Sequence, residues 1–288
     1  MHPSSSAASQ PEVDPSLSAA TSPSTGKPSR AAWFAWGIAA VGYLLAIFHR
    51  MALGVAALDA EDRLAVGAGS IAALSVVGLT AYLSMQVPAG LISDRIGPRR
   101  GLAIGLVVIA AGEAIFAFST ALPLSLVGRA MVGAGDAFIF LNVLRIAAHW
   151  FPRERFASMT AATATIGALG QVVGTVPLNA SLGGPGWSAT FLGSSILTLG
   201  LALALFLFLR ERPPGQVAPA RHEHDPIRVS LRRSWARPTT RDGFWVHLTA
   251  MAPFVVVTGL WGAPILVDAQ GMTRGQASAV LLVAVVVS

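Results

Sequence analysis

The chain of 288 residues contains no cysteine, which excludes disulfide scaffolds, zinc-finger arrays, iron–sulfur sites and thiol nucleophiles together. Charge is also scarce, with 12% charged residues against about 25% in ordinary soluble proteins. So few charges cannot cover the surface of a soluble fold of this length. The shortage is uneven: long stretches hold no charge at all, and mean hydropathy reaches +0.63 because 53% of the residues are hydrophobic. Apolar blocks of bilayer-crossing length identify a membrane protein.

The apolar blocks lie at about 33–58, 67–91, 101–119, 123–149, 156–180, 187–209 and 244–267, and an eighth begins near Gln276 and is still apolar at Ser288. Residues 1–30, rich in Ser, Pro and Ala, read as a disordered tail without the basic start and apolar core of a signal peptide. Residues 210–243 read as a polar, Arg-rich linker between two bundles. The expected organisation is therefore a tail at 1–30, a six-helix bundle at 31–209, a linker at 210–243 and the first helices of a second bundle at 244–288. The His222–Asp225 run reads as solvated linker, and no metal or cofactor is expected.

A net charge of +6 would suit nucleic acid, but the distribution of the charges points to lipid. With the tail inside, fifteen of the twenty basic residues fall in cytoplasmic stretches, two on the opposite face and three within spans. This is a positive-inside bias. It implies a multi-pass protein of the inner (plasma) membrane with a cytoplasmic N-terminus, and no nucleic-acid partner.

The second block ends in GLISDRIGPRRGL at 90–102. Gly90 and Gly97 permit close packing and a tight turn, Asp94 sits at a helix end, and Arg95, Arg99 and Arg100 lie at headgroup level. An acid facing such a basic cluster can hold two helices together in one conformation and release them in another. The stretch resembles the signature loop of the major facilitator superfamily, with Pro98 where a basic residue is usual. Arg129, Gly133, Gly135 and Ala137 are similar to the fourth-helix motif of the same family, from which Asp136 departs. The resemblance covers about residues 31–288 and implies an all-α, polytopic transmembrane helical bundle in which two six-helix halves rock about a central solute site. It also implies that this chain holds the first half and the start of the second, the missing part being needed for activity.

Ionisable groups inside spans cost at least a few kcal/mol unless paired or hydrated, so each needs a reason. In the first block Arg50, accompanied by Tyr43 and His49, is a candidate for solute binding; an ion pair within the bundle is the alternative. In the fourth, Arg129 and Asp136 are seven residues apart and share a face. Asn142, Arg145 and His149 share another, and either face could line the pathway. Glu113 in the third block is expected to pair with Arg129 or Arg50. Asp136 and Glu113 are the proton-coupling candidates, Asp136 the better one because the fourth helix lines the cavity in the family. Trp261 could pack on solute, and Tyr82 and Gln86, one turn apart, could line the pathway. Three Arg against two acids in the spans lean toward an anionic or zwitterionic solute.

The fifth block carries Gly167, Gly170 and Gly174, but Gln171 stands where the family's antiporter motif has Pro. The expected function is secondary active transport of a small solute by alternating access, proton coupling included. The alternatives are a facilitated uniporter of dipeptide-like or organic acid solutes, a multidrug exporter, and a non-functional truncated fragment. No nucleophile and base come together, so an enzyme is not expected.

Overall fold

The computed structural model describes residues 28–215, 227–257, 262 and 265–287, and among these the chain is helical throughout, with no strand. The tail expected at 1–30 therefore lies outside the described residues except for its last three, as do the His222–Asp225 run and Trp261.

Six helical segments among the described residues are long and apolar enough to cross a membrane: Arg30–Val55, Ala68–Ile96, Pro98–Phe118, Leu122–Trp150, Arg153–Gly183 and Trp187–Phe208. They coincide with the first six apolar blocks, because a backbone in hydrocarbon must satisfy its own hydrogen bonds and a helix does this within one segment. The first, α1 (Arg30–Val55), starts where Ser29 Oγ accepts from Ala32 N at 3.2 Å, an N-cap that satisfies one otherwise orphaned donor. A short helix α2 (Ala57–Leu64) follows on the far side. Span two is α3 (Ala68–Ile96) and span three is α4 (Pro98–Phe118), whose Pro occupies a position where the missing N–H costs nothing.

Span four is not one continuous helix. It consists of α5 (Leu122–Asp136) and α6 (Ile139–Trp150), separated by a turn at Ala137 and Phe138. Phe138 N donates to Gly135 O at 3.1 Å, a tightened turn that rotates α6 relative to α5. Spans five and six are α7 (Phe156–Gly183) and α8 (Trp187–Phe208).

Packing pairs α4 with α5 and α8, α1 with α7, and α3 with α5. The closest approach is at Gly133, where a Cβ would lie 2.0 Å from Gly78 O, so α5 and α3 touch backbone to backbone. Two apolar clusters fill the bundle, one around Trp36, Leu102, Ile139 and Leu205, the other around Phe48, Leu74, Phe116 and Phe191. A layer of polar side chains lies between them.

Beyond span six the structure departs from the simple linker. The stretch expected to be polar connection holds α9 (Ile227–Ala236), and α10 (Pro238–Val255) begins six residues before the expected start of the seventh block at 244. Pro238 opens α10 because its fixed φ suits a first helical turn. A π-helical turn, Ile265–Ala269, and α11 (Arg274–Val287) complete the described chain.

Candidate functional site

Arg50 and Asp136 meet across the bundle. Arg50 Nε donates to Asp136 Oδ2 at 2.7 Å and Nη2 donates to the same oxygen at 2.5 Å. The aspartate is the last residue of α5, placed by the turn at 137–138. Its side chain is only 3% exposed while that of Arg50 is 34% exposed, so Arg50 is the more accessible member of the pair. The Tyr82 ring lies under the guanidinium, its centroid 4.6 Å from Arg50 Cζ, a cation–π contact that holds the plane in place. Tyr43, two turns before Arg50 on the same face, packs against Phe140 at 5.1 Å between ring centroids. Asp136 Oδ1 is buried without a hydrogen-bond partner among the described residues.

This arrangement can bind an anion. A guanidinium carries five N–H donors in a planar fork; Asp136 takes two, and a carboxylate, sulfonate or phosphate matches the geometry of the fork. An incoming anion would compete with Asp136 for the fork.

His49 is not part of this site. One residue from Arg50, it is turned by about 100° and is fully buried on the other side of α1. There its Nδ1 lies 3.2 Å from Glu113 Oε1 and its Nε2 2.7 Å from Thr198 Oγ1. Arg129 Nη1 donates to Glu113 Oε1 at 3.4 Å and to His49 O at 3.1 Å. Of the two partners expected for Glu113, the structure supplies Arg129. The shared face of Arg129 and Asp136 thus serves two different pairs.

Asn142 and Arg145, on a different face of span four from Asp136, meet span two rather than the Arg50–Asp136 pair. Asn142 is fully buried, and its Nδ2 donates to Ser93 Oγ at 2.8 Å and to Phe138 O at 2.7 Å. Arg145 Nη2 donates to Asp94 Oδ1 in an ion pair joining α6 to the end of α3. The loop motif and the fourth span are thereby one unit.

Gly97 adopts φ +87°, a conformation that side chains avoid, and a Cβ there would fall 2.5 Å from the Glu211 carboxylate. Gly90 faces Leu141, and Arg99 stacks over Phe206 at 5.4 Å, while Arg95 and Arg100 are exposed. Glu211 O also accepts from His149 Nδ1 at 3.1 Å, and Trp150 Nε1 donates to Arg210 O at 3.0 Å. Thr198 and Glu211 escaped sequence reasoning, and Ser93 enters it only as part of the loop motif. Thr198 carries a weak signal as a polar residue amid an apolar run, and Glu211 as an acid directly after span six. Among the described residues no group of three His, Asp or Glu could hold a metal ion.

A family model described as Major Facilitator Superfamily matches residues 39–288. The chain is similar, at 24% identity over 177 residues, to a protein of Agrobacterium vitis named for tartrate transport, the match covering 59% of this chain and 39% of that one. It is similar at 20% identity to a protein of Cupriavidus necator named for sulfoacetate transport, covering 62% of this chain and 41% of the other. The chain therefore spans about two fifths of the length of these curated relatives. In fold it resembles the crystal structure of a bacterial homolog to the human lysosomal transporter Spinster, in an inward-facing and unoccupied conformation. That match has a TM-score of 0.59 and 18% identity, and it covers 87% of this chain and 58% of the solved one.

Proposed function

Because the chain belongs to the major facilitator superfamily, we propose that it serves secondary transport of a small anionic solute by alternating access, with Arg50 as the anion receptor. The observation that carries this reading is the partly exposed Arg50 side chain, its guanidinium resting on Tyr82 and held by a buried Asp136. Tartrate and sulfoacetate, the solutes in the names of two relatives, are both dianions and support the same chemical class.

In the proposed cycle an anion takes the Arg50 donors from Asp136. Asp136, now without a counter-charge, takes a proton, and the site becomes neutral enough to cross between orientations. Release of the solute lets Arg50 and Asp136 pair again and expels the proton. Tyr43 and Tyr82 line the solute path. The Asp94–Arg145 pair with Gly90, Gly97 and the neighbouring Arg95, Arg99 and Arg100 acts as the gate on the cytoplasmic face. That orientation, with the N-terminus inside and the protein in the plasma membrane, rests on the positive-inside count. Residues 30–208 supply one bundle of the pathway, and α10 and α11 belong to a second.

The test is uptake in proteoliposomes by the transporter with both bundles present, with tartrate, sulfoacetate and other organic anions, under an inward proton gradient. Uptake should occur, Arg50→Gln should abolish it, and Asp136→Asn should retain exchange of solute across the membrane while losing the response to the gradient. Full activity in Arg50→Gln would remove the anion-receptor reading. A gradient response that survives Asp136→Asn would remove the coupling role and leave facilitated uniport.

A further inference from the structure

We propose that α9 lies in the membrane interface on the cytoplasmic side and binds the anionic headgroup layer there; this rests on the reading that α10 enters the bilayer from that side. Residues 227–241 contain five arginines, at 228, 232, 233, 237 and 241, and no acid. A cluster of this size next to a membrane-crossing helix is attracted to anionic lipid. Positive-inside topology asks only for charge near the membrane, and α9 has more than charge. Leu231 and Trp235, one turn apart on the helix, are 52% and 49% exposed. An amphipathic helix with this pairing of apolar and basic positions sinks its apolar side into the boundary and lifts its arginines to the phosphates.

An independent contact fixes the level at which α9 sits. The Trp235 ring meets that of Phe244 at 5.3 Å, and Phe244 meets Trp245 at 5.2 Å, all three rings being exposed. Phe244 and Trp245 lie in the second turn of α10, and only Arg237 separates the two helices. Aromatic residues in that position mark the headgroup level of a membrane-crossing helix, so the contact holds α9 at that level. The arginines choose the occupant, since guanidinium pairs bidentately with phosphate.

The absence of cysteine makes the test clean: Leu231→Cys in the full chain, spin-labelled, in vesicles of phosphatidylcholine alone or mixed with phosphatidylglycerol. Collisions with oxygen and with a water-soluble nickel chelate report depth. In the mixed vesicles the label should be open to oxygen and shielded from nickel. It should return to water in phosphatidylcholine alone, and at 1 M salt, where screening shortens to about 3 Å. The double change Arg232→Gln with Arg237→Gln should weaken the partition roughly twenty-five-fold, about fivefold per arginine. A second label at Leu203→Cys, on the lipid-facing side of span six at 58% exposure, should be oxygen-accessible in every vesicle and so certifies insertion. With that control positive, a Leu231 label open to nickel in the anionic vesicles overturns the proposal. So does a label shielded equally in both lipids and in detergent, which would mean that protein covers α9.

Discussion

Replacing Glu113 by alanine should destabilise the bundle by about 3–5 kcal/mol, the usual range for removing one member of a buried ion pair. Glu113 and Arg129 are 0% and 5% exposed at their side chains and approach to 3.4 Å. At an effective dielectric constant of about 20, unit charges at that separation attract by about 5 kcal/mol. This gain largely offsets the cost of taking both ions out of water, so the intact pair is near break-even with an apolar filling of the same volume. Removing only the acid changes the balance, because Arg129 then stays buried without its partner, keeping the His49 carbonyl at 3.1 Å and the Phe116 ring at 5.8 Å. Glu113→Gln preserves volume and an acceptor oxygen, and should lose less, about 1–3 kcal/mol. The double change Glu113→Leu with Arg129→Met removes both charges and should lie closer to wild type than Glu113→Ala does. Thermal unfolding in detergent, followed by tryptophan fluorescence, measures the series, with Glu113→Ala expected to lower Tm by about 10 °C. A Glu113→Ala variant within about 1 °C of wild type, or a double variant worse than either single one, would refute the reasoning.

Two further outcomes follow from packing. Asp94→Asn should loosen the junction of α3 and α6, raising the labelling rate of a cysteine placed at the buried Ser93 by about two- to fivefold, as befits a partly exposed pair; an unchanged rate would mean that the pair is no clamp. Gly133→Ala forces a methyl to within 2.0 Å of Gly78 O and should cost about 1–3 kcal/mol or prevent folding, whereas Gly37→Ala, with nothing within 4 Å, should be neutral in the same unfolding assay.

The number and course of the six spans were legible because apolar runs of bilayer length have one structural solution. The loop motif was legible too, since Gly97 and Asp94 are constrained by a turn and a helix end. Proximity in sequence makes His49 a companion of Arg50, and the sequence leaves open which face of span four lines the pathway, that of Asp136 or that of Asn142 and Arg145. Adjacent residues on a helix are about 100° apart, so His49 faces Glu113 while Arg50 faces Asp136. The turn at Ala137 and Phe138 interrupts the helix directly after Asp136, and no Pro announces it. Thr198 and Ser93 came from helices distant in sequence, and periodicity within one helix gives no information about such contacts.

The two buried clusters are joined through the backbone of α1, and this connection has a functional consequence. Arg129 donates to the carbonyl of His49, Thr198 Oγ1 lies 2.7 Å from the ring's Nε2, and Glu113 Oε1 approaches Nδ1 to 3.2 Å. The Arg129 bond to the His49 carbonyl and the Thr198 contact at Nε2 restrain the rotation of α1 about its axis at the residue preceding Arg50, and therefore the direction in which the guanidinium is presented. A small rotation displaces a side-chain tip by the order of an ångström, which can cost up to about a hundredfold where geometry is demanding. His49→Leu should accordingly weaken apparent solute affinity by about ten- to a hundredfold, while the response to the proton gradient, carried by Asp136, persists. Concentration-dependent uptake measured with and without the gradient separates the possibilities. Unchanged affinity with lowered stability would restrict the cluster to holding the bundle together, and a lost gradient response would make His49 itself the proton carrier.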